Sequence, residues 1–165
     1  MWRRILRVLL PTLALAGCAT AGPPFSPYAG LDSGQAVVYI YRPHAFALSV
    51  LSAEIEVDGR KVAKLKNETY VAVPLTSGPH TVTQRWKAGM LGNSKLENRP
   101  ISTQIVVRAG EQSFVRLGVV GSWSGSSRVV HNEWEWELRE LPASDAMDEL
   151  RVCHRAEMDT ARQPG

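Results

Sequence analysis

The sequence predicts an all-β domain: a single antiparallel β-sandwich of about seven to eight strands, followed by a C-terminal amphipathic helix. Three observations predict it. Runs rich in Val, Ile, Tyr and Thr recur from Gln35 to Leu138 with Gly, Pro, Asp and Asn between them, the rhythm of strands and tight turns. Within several runs apolar and charged residues alternate with period two, as in a sheet with one face on a core. Beyond Pro142 the apolar period becomes helical.

A segment of another kind precedes the domain. "MWRRILRVLLPTLALAG" begins with Arg3, Arg4 and Arg7 and continues in an apolar stretch, Leu9 to Ala16. That stretch is shorter than the roughly 20 residues a helix needs to cross about 30 Å of hydrocarbon, so residues 1–17 read as an export signal. Its ending, Leu15-Ala16-Gly17-Cys18, resembles the lipobox of bacterial lipoproteins. The resemblance implies cleavage before Cys18, a diacylglycerol on its thiol and an acyl chain on the new amine; the alternative is a chance cysteine in an ordinary signal. One chain binds a membrane marginally at about 0.8 kcal/mol per methylene, and several make a stable anchor. Ala19 stands where an aspartate would direct inner-membrane retention. The expected location is the cell envelope, at the outer membrane facing the periplasm in an organism with two membranes.

Residues 18–33 contain Pro23, Pro24 and Pro27 among small residues and no periodicity, so they are expected to form the lipidated N-terminus and a flexible tether. Fully extended, it would reach roughly 50 Å.

The sandwich is expected over residues 34–141. "AVVYIYR" is apolar on both faces and reads as a central strand; "AEIEV" alternates as a half-buried one. Asp58-Gly59 then offers the backbone freedom of a tight hairpin leading into "RKVAKL". "TYVAVPL", "HTVTQRW", "ISTQIVV" and "SFVRLGVV" follow, with "TSGP" and "RAGEQ" as breaks. Arg42 is expected at a strand edge, where Pro43 stops further ladder bonding; Gly78 and Pro79 turn the chain so that His80 starts a strand. In "HNEWEWEL", period two puts Trp134, Trp136 and Leu138 on the core face and Glu133, Glu135 and Glu137 in solvent, which accounts for the glutamates without catalysis. A helix is expected over 142–160, with Ser144 as N-cap and Met147, Leu150, Cys153 or His154, and Met158 as its apolar stripe. Residues 161–165 form a frayed tail.

The chain has 19 Lys+Arg against 16 Asp+Glu, and removing Arg3, Arg4 and Arg7 with the signal leaves 16 of each. A mature protein without net charge gives no support to nucleic-acid binding. Arg60 to Arg108 is mainly basic and Glu133 to Glu149 mainly acidic. Those segments either present faces to an anionic or cationic partner or neutralise each other across strands, and the second reading is favoured. Cys153 is the second of two cysteines: the partner of an intermolecular disulfide or a redox thiol in an oxidising compartment, or, the favoured reading, a small buried hydrophobe.

No catalytic constellation stands out. His44, His80, His131 and His154 are scattered, without HExxH or close His/Cys spacing, so no metal site and no cofactor is expected. "GSWSGSS" lacks the spacing of a nucleophile elbow and reads as a flexible loop. Its Trp123 is a candidate contact for a sugar ring or a partner, or else packs over the sandwich end. Asn67-Glu68-Thr69 reads as a turn.

"VYIYRP" (38–43), "VDGRKVAKLKNETY" (57–70), "LTSGPHTV" (75–82) and "AGEQSFVR" (109–116), in that order and spacing, resemble a bacterial lipoprotein family known only as domain of unknown function 2846. The resemblance covers roughly Gln35 to Arg116, with an echo in "ELRVCHR". It implies a prealbumin-type, immunoglobulin-like or PEGA-like sandwich behind a lipobox, and brings no activity or site residues. One departure is Glu68, where the family tends to glycine after the asparagine.

The expected function is that of a noncatalytic, lipid-anchored envelope module that contacts the membrane through its lipid and binds an envelope protein or peptidoglycan. The alternatives are a small-ligand or glycan-binding module using Trp123 or the stretch Lys87 to Arg99, and an envelope hydrolase assembled from distant histidines and acids.

Overall fold

The computed structural model describes residues 22–46, 49–86, 99–126 and 129–159. Among the described residues nine strands and one helix follow in order: β1 Gln35–Arg42, β2 Ala53–Val57, β3 Arg60–Leu65, β4 Thr69–Thr76, β5 Gly78–Trp86, β6 Ile101–Val107, β7 Gln112–Ser126, β8 Val129–Leu141, α1 Ala143–Leu150 and β9 His154–Arg155. They form a sandwich of two sheets, ordered β8-β7-β1-β4-β9 and β3-β2-β5-β6.

The expected all-β sandwich is present, with one difference in pairing. β1 lies antiparallel to β4 but parallel to β7, and β9 is parallel to β4. The three-stranded middle of the first sheet is therefore mixed. A parallel neighbour needs a long crossover, and here the path from β1 to β7 runs through β2–β6, which include the whole second sheet.

Burial on both faces explains the composition of β1. Ala36, Val38 and Ile40 point into the core between the sheets, with Ile55, Leu65, Val71, Val82 and Ile105. Val37, Tyr39 and Tyr41 point the other way and form a second apolar cluster with Tyr70, Phe114, Ala146, Leu150 and Cys153. α1 thus makes a third layer over the outer face of the first sheet. The outer face of the second sheet stays solvated and pairs its charges across strands, Lys61 with Glu54 and Arg85 with Glu56. The basic stretch finds these acids within its own sheet, and among the described ion pairs only Arg116 with Glu149 joins β7 to the late acidic segment.

The β2–β3 hairpin has the two-residue turn read from the sequence: Asp58 at φ 50 and Gly59 at φ 75, the signs of a type I′ turn. Pro74 sits in β4 below the two rows where β9 pairs, so its missing N–H faces no neighbour there.

Four expectations are corrected. Residues 22–33 are not a free tether, because Phe25, Tyr28 and Leu31 pack on the second cluster and Pro24 bridges His154. Phe25 meets Tyr39 and Tyr70 edge to face, with centroids 5.7 and 5.2 Å apart, and this burial outweighs the flexibility that proline and small residues suggest. The helix covers Ala143–Leu150 rather than 142–160, and Pro142, not Ser144, is its N-cap. It stops because the following backbone finds better partners: His154 N–H donates to Glu68 and Ala156 N–H to Tyr70. Met158, assigned to the helical stripe, instead bridges Ala63 on β3. Finally, "GSWSGS" is ladder rather than loop, lying within β7 opposite β8.

Candidate functional site

Define the upper end of the sandwich as the end where β1 finishes at Arg42. The β1–β2 connection, the β3–β4 turn, the stretch between Trp86 and Ile101 and the β7–β8 tip all leave from that end, as the registers require. The chemistry-bearing side chains are distributed over four places.

Just inside the upper end is Arg42, wholly buried rather than at an edge. Period two explains it: with Val38 and Ile40 facing the core, residue 42 must face it too. Its guanidinium carbon lies 5.1 Å from the ring centroid of Trp136 and 5.8 Å from that of Trp86, and Nη1 donates to the carbonyl of Leu51. The two indoles meet edge to face at 4.6 Å. Burial pulls the Arg42 pKa down to about 10, so the side chain remains a cation at neutral pH, stabilised by the ring quadrupoles. On the same face of β5, the Gln84 amide is buried with no hydrogen-bond partner among the described residues, as is Trp136 Nε1. The cluster ties β1, β5 and β8 together across the core.

On the outer face, Tyr41 donates to Glu149 Oε2 at 2.9 Å and Arg116 Nε donates to the same oxygen at 2.9 Å. Burial, followed by the hydrogen bond to Glu149, raises the phenol pKa far above its usual value. A Cβ on Gly118 would collide with the Arg116 guanidinium, so glycine clears the path from β7 to α1. Beside this pair the buried Cys153 thiol donates to the carbonyl of Glu149 at 3.3 Å. Burial pushes that thiol up to about 12, reinforced by the charges of Glu68 and Glu149, so it is protonated and not a nucleophile.

At the lower end, His80 Nδ1 lies 2.7 Å from Asp58 Oδ2 and Nε2 lies 2.8 Å from the carbonyl of Thr76. Both nitrogens face acceptors, which selects the imidazolium. Asp58 Oδ1 also accepts the Thr81 N–H at 2.9 Å, so the pair fastens the β2–β3 turn to β5.

The fourth place is the upper corner beside β9. Arg155 N–H donates to Pro23 at 2.7 Å and the His154 ring faces the Gly22 carbonyl at 3.1 Å. Gly22 has φ +143, and a Cβ there would run into the Arg155 carbonyl, so only glycine enters this corner unstrained. Glu68 accepts the His154 N–H and lies 3.4 Å from His44, and Asn67 Oδ1 accepts the Ala45 N–H at 3.0 Å. Next to it is an open groove of about 360 Å³ lined by Lys64, Lys66, Thr69, Ala156, Glu157, Met158 and Asp159.

The histidines are thus held in separate structural roles: His80 is at the lower end and His44 and His154 at the upper corner, while the side chain of His131 lies outside the described residues. Among the described residues no three His, Cys, Asp or Glu side chains are placed to hold a metal ion. Trp123 is carried on β7 opposite Asn132; its side chain, like those of Trp134, Glu133 and Glu135, lies outside the described residues, as do Leu15, Ala16, Gly17, Cys18 and most of Lys87 to Arg99. Trp136 and Leu138 do face the core. Two features escaped the sequence reading, and both had a signal there. Arg42 followed the period of β1, and Phe25, Tyr28 and Leu31 recur every three residues within the proline-containing segment.

The family model described as Protein of unknown function (DUF2846) matches residues 32–128, more than half of the chain. No curated protein and no solved structure matches.

Proposed function

The chain belongs to the DUF2846 family of proteins of unknown function, and on that premise we propose that it is a lipid-anchored, noncatalytic module of a bacterial cell envelope. Its sandwich works in the periplasm against a protein or peptidoglycan partner. The observation that carries the reading is the lipobox, Leu15-Ala16-Gly17-Cys18, behind an export signal. Three further points support it. Cys18 stands four residues before Gly22, whose carbonyl faces the His154 ring. The Cys153 thiol is protonated in a structural setting, and the Asp58–His80 and Arg116–Glu149 pairs are satisfied by fold-forming contacts.

The test compares wild type with Cys18→Ser in fractionated envelopes, reading the mass of the N-terminal peptide and crosslinking each form in place. Wild type is expected in the membrane fraction with a lipid mass on Cys18 and a defined crosslinked partner that the variant lacks. Identical fractionation of both forms, with an unmodified Cys18, would sink the proposal.

A second reading, a small-ligand or glycan-binding module, is favoured by one observation: the β1–β2 connection, the stretch after Trp86 and the strand ends carrying Trp123 leave from one end of the sandwich. Connections clustered at one end of a rigid sandwich are where such folds carry recognition. Glycan-array binding lost on Trp123→Ala would favour it over the first.

A further inference from the structure

The lipid reading gains an orientation from the way the chain enters the fold. Three residues, 19–21, separate Cys18 from Gly22, and at 3.8 Å per Cα step the two Cα atoms lie within about 15 Å of each other. Gly22 to Pro24 is fastened to His154 and Arg155 by the contacts at the upper corner. A lipid on Cys18 therefore holds that corner, not merely the molecule, close to the bilayer.

The surface around the corner has the chemistry such a position calls for. Of the five large apolar side chains exposed among the described residues, Phe46, Val50, Val152 and Met158 belong to this end and edge, whereas Val106 lies near the lower end of β6. Phe46 is 94 % exposed and follows Ala45, whose N–H is held by Asn67; Val152, 60 % exposed, lies two residues before His154, where β9 begins. Lys66, exposed at the start of the same turn, makes no ion pair among the described residues. An aromatic tip, aliphatic side chains and a lysine suit the headgroup and upper acyl region, where apolar burial and attraction to lipid phosphates act together.

Resting on the lipid-anchor reading, we propose that the upper corner is a membrane-contacting surface: Phe46 and Val152 enter the headgroup region of the leaflet that carries the Cys18 lipid, and Lys66 meets its phosphates. The occupant is the lipid surface itself. The β2–β3 turn and the β6–β7 connection then face away from it, toward the compartment.

The experiment uses full-length lipidated protein in phosphatidylethanolamine/phosphatidylglycerol vesicles with brominated acyl chains. An environment-sensitive label is placed on Phe46→Cys, Val152→Cys or, at the far end, Glu111→Cys. Cys153 is buried and Cys18 is thioether-linked under this reading, so the introduced thiol is the reactive one. Labels at 46 and 152 are expected to be quenched several-fold more strongly than at 111, and Gly22→Ala, by prising the entering chain off Arg155, is expected to reduce the difference. Equal quenching at all three positions in protein that remains vesicle-bound overturns the orientation while leaving the anchor intact. Protein that stays off the vesicles and lacks a lipid mass on its N-terminal peptide overturns the anchor, and this proposal with it.

Discussion

The Arg42 guanidinium and the Trp136 indole meet in the core just inside its upper end, 5.1 Å from cation to ring centroid. A buried charge survives where rings and carbonyls replace its hydration. The planar guanidinium suits a slot beside two indoles; a lysine ammonium is compact and strongly hydrated. Arg42→Lys is expected to cost about 2 kcal/mol, the scale of a lost charge-assisted hydrogen bond. In a double-mutant cycle with Trp136→Leu, measured by urea unfolding, the coupling is expected to be about 1 kcal/mol or more. Additive single-variant effects would show that the stacking contributes nothing.

Glu68 occupies the left-handed region at φ 56. An L-residue there is strained by about 1–2 kcal/mol, part of which glycine returns through its looser unfolded chain. The ion pair lost with the side chain is half-exposed, His44 being 66 % accessible, and such pairs contribute little. Glu68→Gly is expected to stabilise by up to about 1 kcal/mol, visible as a rise of a few degrees in Tm. A fall would mean that the Glu68 carboxylate does more at this corner than the geometry indicates.

What could be read from the sequence was whatever a single strand or turn determines by itself. β1 declared its central place because both of its faces are apolar; Asp58-Gly59 declared its hairpin because few residue pairs take two positive φ values. Trp136 declared its core face through alternation with Glu135 and Glu137. Partners are another matter, since period two fixes which way a side chain points and not which strand lies beside it. The parallel β1–β7 pairing therefore left no local trace. The same limit explains the helix. "RVCHRAEMD" keeps a helical spacing, yet His154 and Arg155 complete the edge of β4, and tertiary partners override propensity. At the site, the resemblance of Leu15-Ala16-Gly17-Cys18 to a lipobox was legible in the sequence. The corner it leads to was not, because it is assembled from residues 22–24, 44–46, 66–68 and 152–158.

The lower-end pair of His80 and Asp58 should make stability depend on pH in both directions. Burial works against the His80 cation, but the Asp58 hydrogen bond, the Thr76 carbonyl and the Asp58 charge outweigh it and raise its pKa. Burial likewise works against the Asp58 anion and is outweighed by His80 and the Thr81 N–H, which lower its pKa. The His80 contribution is full below its unfolded pKa of about 6.5 and fades as pH rises through the higher folded value. The Asp58 contribution is full above about 3.9 and fades as pH falls through its lower folded value. The coupling should peak between roughly pH 4 and 6.5 and, with Asp58 half-exposed, stay below about 1 kcal/mol. A cycle of His80→Gln and Asp58→Asn, measured at pH 5.5 and pH 9, is expected to show coupling at the first and little at the second; equal coupling at both would refute the ionic account.

Glu149 fastens α1 to the sheet by accepting from both Tyr41 and Arg116. Removing it leaves a half-buried guanidinium and a buried phenol without their shared acceptor, and unsatisfied buried groups cost about 1–3 kcal/mol each. Glu149→Ala is expected to destabilise by about 2–3 kcal/mol, and Glu149→Gln by less, since its amide oxygen still accepts while the charge is gone. The loss should also be local. The apolar contact of α1 with the sheet is limited to Ala146, Leu150 and the partly buried Met147, so amide exchange in Ala143–Leu150 should accelerate more than exchange in β1 or β5. Uniform acceleration across the sandwich would mean that α1 is part of the cooperative core, with the Glu149 contacts supporting the whole domain rather than the docking of one layer.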